Sequence, residues 1–98
     1  MELVFVYGTL LQSRIQTEAW GKPMRGVLDI LPHHAKYFIF HRKEHYPVAV
    51  PEMGTDLPGK RVSLTLSELR RLDRYESKIY ERRMVFLKSG VKAWAYLL

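Results

Sequence analysis

With 98 residues, 47% of them hydrophobic, the chain is expected to form one domain with a modest core, as a monomer or a small homo-oligomer, without room for a second domain. It has no cysteine, which excludes a disulfide framework, a thiolate metal site and a cysteine nucleophile. A formal net charge of +6 points to an anionic partner, either nucleic acid or a small anion, because Lys and Arg supply long-range attraction for both.

The N-terminus lacks the basic segment, apolar stretch and small-residue cleavage site of a signal peptide, and no apolar run reaches membrane-spanning length. A soluble, cytoplasmic protein is expected. Leu3-Val4-Phe5-Val6-Tyr7 is apolar without alternation, the pattern of a strand buried on both faces. Gly8 ends it. A glycine there permits a sharp turn and close approach, and leaves amides free to hold a carboxylate or phosphate; a plain strand and turn is the alternative.

Ser13-Arg14-Ile15-Gln16 has capping-box spacing, which predicts a helix from an N-cap at Ser13 to about Trp20, stopped by Gly21 and Pro23. Residues 26–31 and 35–40 read as the next strands, the second rich in aromatic residues. Tyr46 to Pro51 reads as a short strand, placed at a sheet edge by its bracketing prolines, and 51–59, with Pro51, Gly54, Pro58 and Gly59, as an irregular loop. Thr65-Leu66-Ser67-Glu68 is a second capping box, opening a helix to about Glu76. Strands at 84–87 and 91–98 bracket a tight turn at Lys88-Ser89-Gly90. About six closely spaced strands with one or two short helices give an α+β fold, a small mixed sheet or partly closed barrel.

The second helix carries a conflict. At about 100° per residue, Glu76 falls about 20° from Leu69, between Leu69 and Leu72, and Asp73 about 40° to the other side of Leu69. Arg70, Arg71 and Arg74 lie opposite. Acids on a core-facing stripe mark either a helix end peeling into solvent or a functional site. Partial burial and the helix C-terminus would both push the Glu76 carboxyl upward, as proton exchange near neutral pH requires. The plainer alternative ends the helix by Tyr75 and sends Glu76 to water, or to Lys78 or Arg82. For Asp73 it is acceptance of backbone N–H groups from a neighbouring loop.

The remaining residues read blandly. His33, His34, His41 and His45 lack the spacing of a metal site, so no metal or cofactor is expected. Tyr37, Phe38 and Phe40 suit core and edge packing better than base stacking. The basic residues between Arg70 and Arg83 are interleaved with Asp73, Glu76 and Glu81, the pattern of a salt-bridged face rather than a nucleic-acid track. Tyr80 and Arg82 suit either a pocket wall or a brace for the following strand.

Taken in order, Phe5-Val6-Tyr7-Gly8-Thr9-Leu10, Leu69-Arg70-Arg71-Leu72-Asp73-Arg74-Tyr75-Glu76, Tyr80-Glu81-Arg82 and Ala93-Trp94-Ala95-Tyr96 resemble the γ-glutamylcyclotransferase-like family, its small γ-glutamylamine cyclotransferase-like members above all. The resemblance spans nearly the whole chain. It implies a barrel-like mixed fold and an enzyme of the 5-oxoproline-forming lyase or transferase type: the α-amino group of a γ-glutamyl amino acid or amine attacks its own δ-carbonyl, releasing 5-oxoproline. Glu76 matches the family's catalytic glutamate, and Tyr7, Gly8, Thr9 and Leu10 match the substrate-holding loop. Lys60 and Ser77 stand where relatives often carry Glu and Gly, and Lys60 is expected to change the pocket charge. With the chain ending at Leu98, a pocket-closing C-terminal segment of longer relatives is expected to be missing. These departures and the +6 charge motivate a second reading, a catalytically inactive small-ligand or nucleic-acid-binding module on the same fold.

Overall fold

The unbroken apolar run near the N-terminus forms β1 (Glu2–Val6), whose last three residues are buried, in a computed structural model that describes residues 1–76 and 79–98. Successive strand residues point to opposite faces, so an unbroken run serves two cores at once. Val4 and Val6 join Trp20, Leu64, Leu69 and Leu72 on the helical side, while Phe5 and the adjoining Tyr7 join Leu31, Ala49, Leu57 and Leu97 inside the curl of the sheet. Each fully buried aliphatic or phenyl side chain contributes about 1.5–3 kcal/mol.

A short 3-10 helix (Gly8–Leu11) follows β1, then α1 (Ser13–Trp20), β2 (Val27–His41), β3 (Glu44–Leu64), α2 (Leu66–Glu76), β4 (Glu81–Phe86) and β5 (Lys92–Leu97). The strands lie in the order β2-β3-β1-β5-β4. β1 runs parallel to β5 and antiparallel to β3, and the outer pairs β2–β3 and β4–β5 are antiparallel. Ala49 of β3 also pairs with Leu97 of β5, curling the five strands into a half-barrel. This is the α+β mixed sheet expected, with five strands instead of six.

The fifth-strand economy comes from the middle of the chain. Segments 26–31 and 35–40 are one strand, β2, kinked where His33 takes φ 59° and the register jumps from Pro32↔Asp56 to His34↔Pro51. The loop expected over 51–59 shrinks to the bulged residues 52–55 of β3. The proline-bracketed segment is no short edge strand but the start of β3, which lies between β2 and β1. Its prolines are tolerated because β1 covers only Lys60 to Leu64 of β3, leaving Ala49 as the sole ladder partner of β5 in that stretch. Gly59 is required where β3 crosses β1: a Cβ there would lie 2.4 Å from the Val6 carbonyl oxygen.

The two capping boxes fare differently. At α2 the reciprocal pair forms, Glu68 N–H donating to Thr65 Oγ1 at 3.1 Å and Thr65 N–H to Glu68 Oε1 at 2.8 Å, worth about 1 kcal/mol. At α1 it does not. Gln12 is the N-cap, and Gln16 turns inward, its Nε2 donating to the Leu10 carbonyl at 2.9 Å and its Oε1 accepting from Met24 N–H at 2.8 Å. Gly21 ends α1 as expected, in the left-handed region at φ 113°. Tyr37, Phe38 and Phe40 are half or more exposed, because β2 is an edge strand whose outer stretch lacks a covering layer.

Candidate functional site

β1 stops while its neighbours continue, and the seam this opens between β3 and β5 is where the site forms. Tyr7 fills the seam: its hydroxyl accepts from Ala49 N–H of β3 at 3.0 Å and donates to the Tyr96 carbonyl of β5. One phenol thus replaces the ladder bonds a longer β1 would have made. The chain then turns at Gly8, φ 61°, where a Cβ would lie 2.9 Å from Pro47 Cγ. By helical geometry the first N–H groups of the 3-10 helix have no intrahelical acceptor.

α2 delivers Glu76 to this loop. Leu69, Leu72 and Glu76 are its buried residues, one stripe, and Glu76 is only 8% exposed. The alternative of a solvated Glu76 is thereby overturned, because the helix continues through it and holds its stripe against the core. Among the described residues no side chain donates to its carboxylate, and burial pushes its pKa up to about 7. Lys78, one alternative partner, and Ser77 lie outside the described residues, while Arg82 is engaged elsewhere.

Glu76 sits where two cavities join. The inner one, about 20 Å³, is lined by Phe5, Tyr7, Thr9, Leu10, Tyr80 and Tyr96, and has room for about one water molecule. The outer cleft, about 570 Å³, shares Thr9, Pro47, Glu76 and Tyr80 with it and is bounded further out by His41, Arg42, His45 and Arg74. Of the four clamp residues expected from sequence, Tyr7, Thr9 and Leu10 line the inner cavity with Glu76. Gly8 instead lines a separate apolar groove beyond the loop, with Phe38 and Leu57. The Tyr7 hydroxyl is committed to the two strands, and burial raises its pKa.

Neighbouring residues correct several expectations. Among the described residues Asp73 takes no loop amides: it accepts from the Tyr96 hydroxyl at 2.6 Å and pairs with Arg82 Nε at 3.3 Å. Arg82 is a brace, its guanidinium lying over the Trp94 ring at 4.3 Å. Tyr80 is a pocket wall, its hydroxyl donating to the Pro47 carbonyl. Lys60 does not reach the Glu76 pocket; it lines an open apolar groove with Leu28 and Pro58, so it leaves the charge at Glu76 untouched. His41 and His45 are exposed and also bound the outer cleft. Nothing in their spacing signals this, because the β2–β3 turn brings them there. Pro47 escaped notice for the same reason.

Among the described residues no cluster of His, Asp and Glu suits a metal ion, and no helix is long and apolar enough to cross a membrane. No curated protein sequence matches the chain. Among solved structures, a protein of Arabidopsis thaliana superposes with a TM-score of 0.82 at 25% identity, over 98% of this chain and 67% of that one. A gamma-glutamyl cyclotransferase gives 0.83 at 17% identity, over 99% and 66%, and an uncharacterized Homo sapiens protein gives 0.78 at 21% identity, also over 99% and 66%. The chain spans about two thirds of the length of these proteins. The family model for AIG2-like gamma-glutamyl cyclotransferases matches residues 4–98, and the chain that folds into this half-barrel belongs to that family.

Proposed function

We propose that the protein is a γ-glutamyl cyclotransferase-type enzyme that releases 5-oxoproline from a γ-glutamyl amino acid or γ-glutamylamine, in a cytoplasmic setting. The observation that carries this reading is the buried Glu76 carboxylate beside the Tyr7 to Leu10 loop, to which no side chain of the described residues donates, its pKa pushed up to about 7 by burial. A carboxylate of that kind is half ionised at neutral pH, suited both to taking a proton and to returning it.

Glu76 first removes a proton from the substrate α-ammonium, and the neutral amine attacks the δ-carbonyl carbon of the same molecule. A new C–N bond closes the five-membered ring. As the old amide C–N bond breaks, Glu76 returns the proton to the leaving nitrogen, and the ring nitrogen gives up its second proton, which the released amine takes up to leave as an ammonium, so no water is consumed and the carboxylate is restored. Loop amides of Gly8, Thr9 and Leu10 hold the γ-glutamyl carboxylate, and the leaving amine extends into the outer cleft. Holding both reacting ends of one molecule close together supplies a large share of the acceleration. The nucleic-acid reading has less support, because Arg14, Lys22, Arg61, Arg82, Arg83 and Lys88 are each paired with an acid.

The test is to incubate the pure protein with γ-glutamyl amino acids and with γ-glutamyl-ε-lysine and to quantify 5-oxoproline. Product from at least one supports the assignment. Absence of product from all of them overturns it in favour of an inactive module.

A further inference from the structure

Tyr96 is held at both ends. Its carbonyl accepts the Tyr7 hydroxyl, and its own hydroxyl donates to Asp73, while its ring forms part of the inner cavity wall beside Glu76. Asp73 is fixed in turn by Arg82, which is sandwiched between that carboxylate and the Trp94 ring; Trp94 Nε1 donates to Glu2 at 3.0 Å. Asp73 and Glu76 stand three residues apart, neighbours on one face of α2, so a single rigid helix carries both the carboxylate and the anchor of the wall that covers it. The inner cavity holds about one water, so the Tyr96 ring limits how much water stands on that side of Glu76.

We propose that Tyr96 is a positioning residue that keeps the Glu76 carboxylate desolvated, and that Asp73 acts through it by holding the Tyr96 hydroxyl. The pair does not touch the reacting atoms. Other groups facing Glu76 are Tyr7 from β1 and Tyr80 beyond α2, with Arg74 and Tyr75 on its own helix and the β2–β3 turn, from His41 to Tyr46, across the outer cleft. Burial is the cause that raises Glu76. The wall that excludes water is therefore the feature to perturb.

The role assigned to the pair rests on Glu76 being the proton carrier, and its test has a readout independent of turnover. The Glu76 side-chain carboxyl is titrated by 13C NMR in the full chain, alongside the pH profile of kcat/KM, for Tyr96→Phe, Asp73→Leu and Asp73→Asn. Tyr96→Phe and Asp73→Leu are expected to lower the Glu76 midpoint by about one pH unit and kcat about tenfold, with KM within about twofold. Asp73→Asn keeps an oxygen that accepts from Tyr96 and is expected to behave as wild type. Unmoved midpoints in Tyr96→Phe and Asp73→Leu overturn the proposal. So does an equal fall in Asp73→Asn, since lost charge rather than a lost tether would then be responsible. Should Asp73→Leu fail to fold, Tyr96→Phe against Asp73→Asn decides, because Phe preserves the ring. If wild type makes no 5-oxoproline, the functional reading fails, while the midpoints still judge the positioning pair.

Discussion

Two carboxylates in this protein are equally shielded from solvent at the surface, though Glu76 lies deeper, and they are shifted in opposite directions. Asp29 and Glu76 are each 8% exposed. Burial alone would raise both, but around Asp29 hydrogen bonds from Ser89, the Ile30 amide and Arg61 outweigh it and hold its pKa below the usual carboxylate value. Those bonds are short: 2.6 Å from Ser89 Oγ, 2.8 Å from Ile30 N–H and 2.9 Å from Arg61 Nε. Glu76 has no such donors among the described residues and is raised. Burial makes a carboxylate costly; partners decide whether the cost is offset, as at Asp29, or kept as reactivity, as at Glu76.

The contrast is broken most strongly at Glu76. Glu76→Gln is expected to lower 5-oxoproline formation about 10²- to 10⁴-fold, as loss of a general acid–base does, while Asp29→Asn leaves activity per folded molecule unchanged. An active Glu76→Gln enzyme would place the chemistry elsewhere. Next in size comes the pH dependence of stability, which should have opposite signs at the two sites. The folded Glu76 carboxyl binds its proton more tightly than the unfolded one, so its contribution is full below about pH 4.5 and is lost as pH rises through about 7. The loss is on the order of 3 kcal/mol, measured by urea unfolding across that window, and Glu76→Gln should abolish it.

Asp29 behaves in reverse. Its contribution is present above about pH 4 and disappears as pH falls through its lowered folded value. Asp29→Ala leaves Arg61 and Ser89 without their acceptor and is expected to cost about 2 kcal/mol by denaturant unfolding at pH 7. The smallest expected effect is Ser89→Ala, about 1 kcal/mol, which removes one of the short bonds and should bring the Asp29 titration closer to the ordinary range. A Ser89→Ala protein with unchanged stability and titration would mean that Arg61 and the Ile30 amide suffice.

Local chemistry alone set the parts of the site that lie on single elements. The buried stripe of Leu69, Leu72 and Glu76 follows from helical periodicity, and the Thr65–Glu68 box fixes where that helix begins. Likewise an unbroken Leu3 to Tyr7 run dictates a strand with a core on each side, and Gly8 its turn. Those features depend on residues within a turn or a strand of one another, so they are legible in order along the chain.

The partners of those parts were decided only by the tertiary structure. That Tyr7 bridges Ala49 and Tyr96, that Asp73 receives the Tyr96 hydroxyl, and that Ser89 and Arg61 donate to Asp29 all join residues 23 to 89 positions apart in the chain. Gln16 shows the limit most directly: its capping-box spacing is real, yet burial beside Leu10 and Met24 offered it better partners than the helix end. Side-chain pattern fixes which face of an element turns inward, but which polar groups meet there depends on how β3 bends, where β1 stops and which strands close the seam.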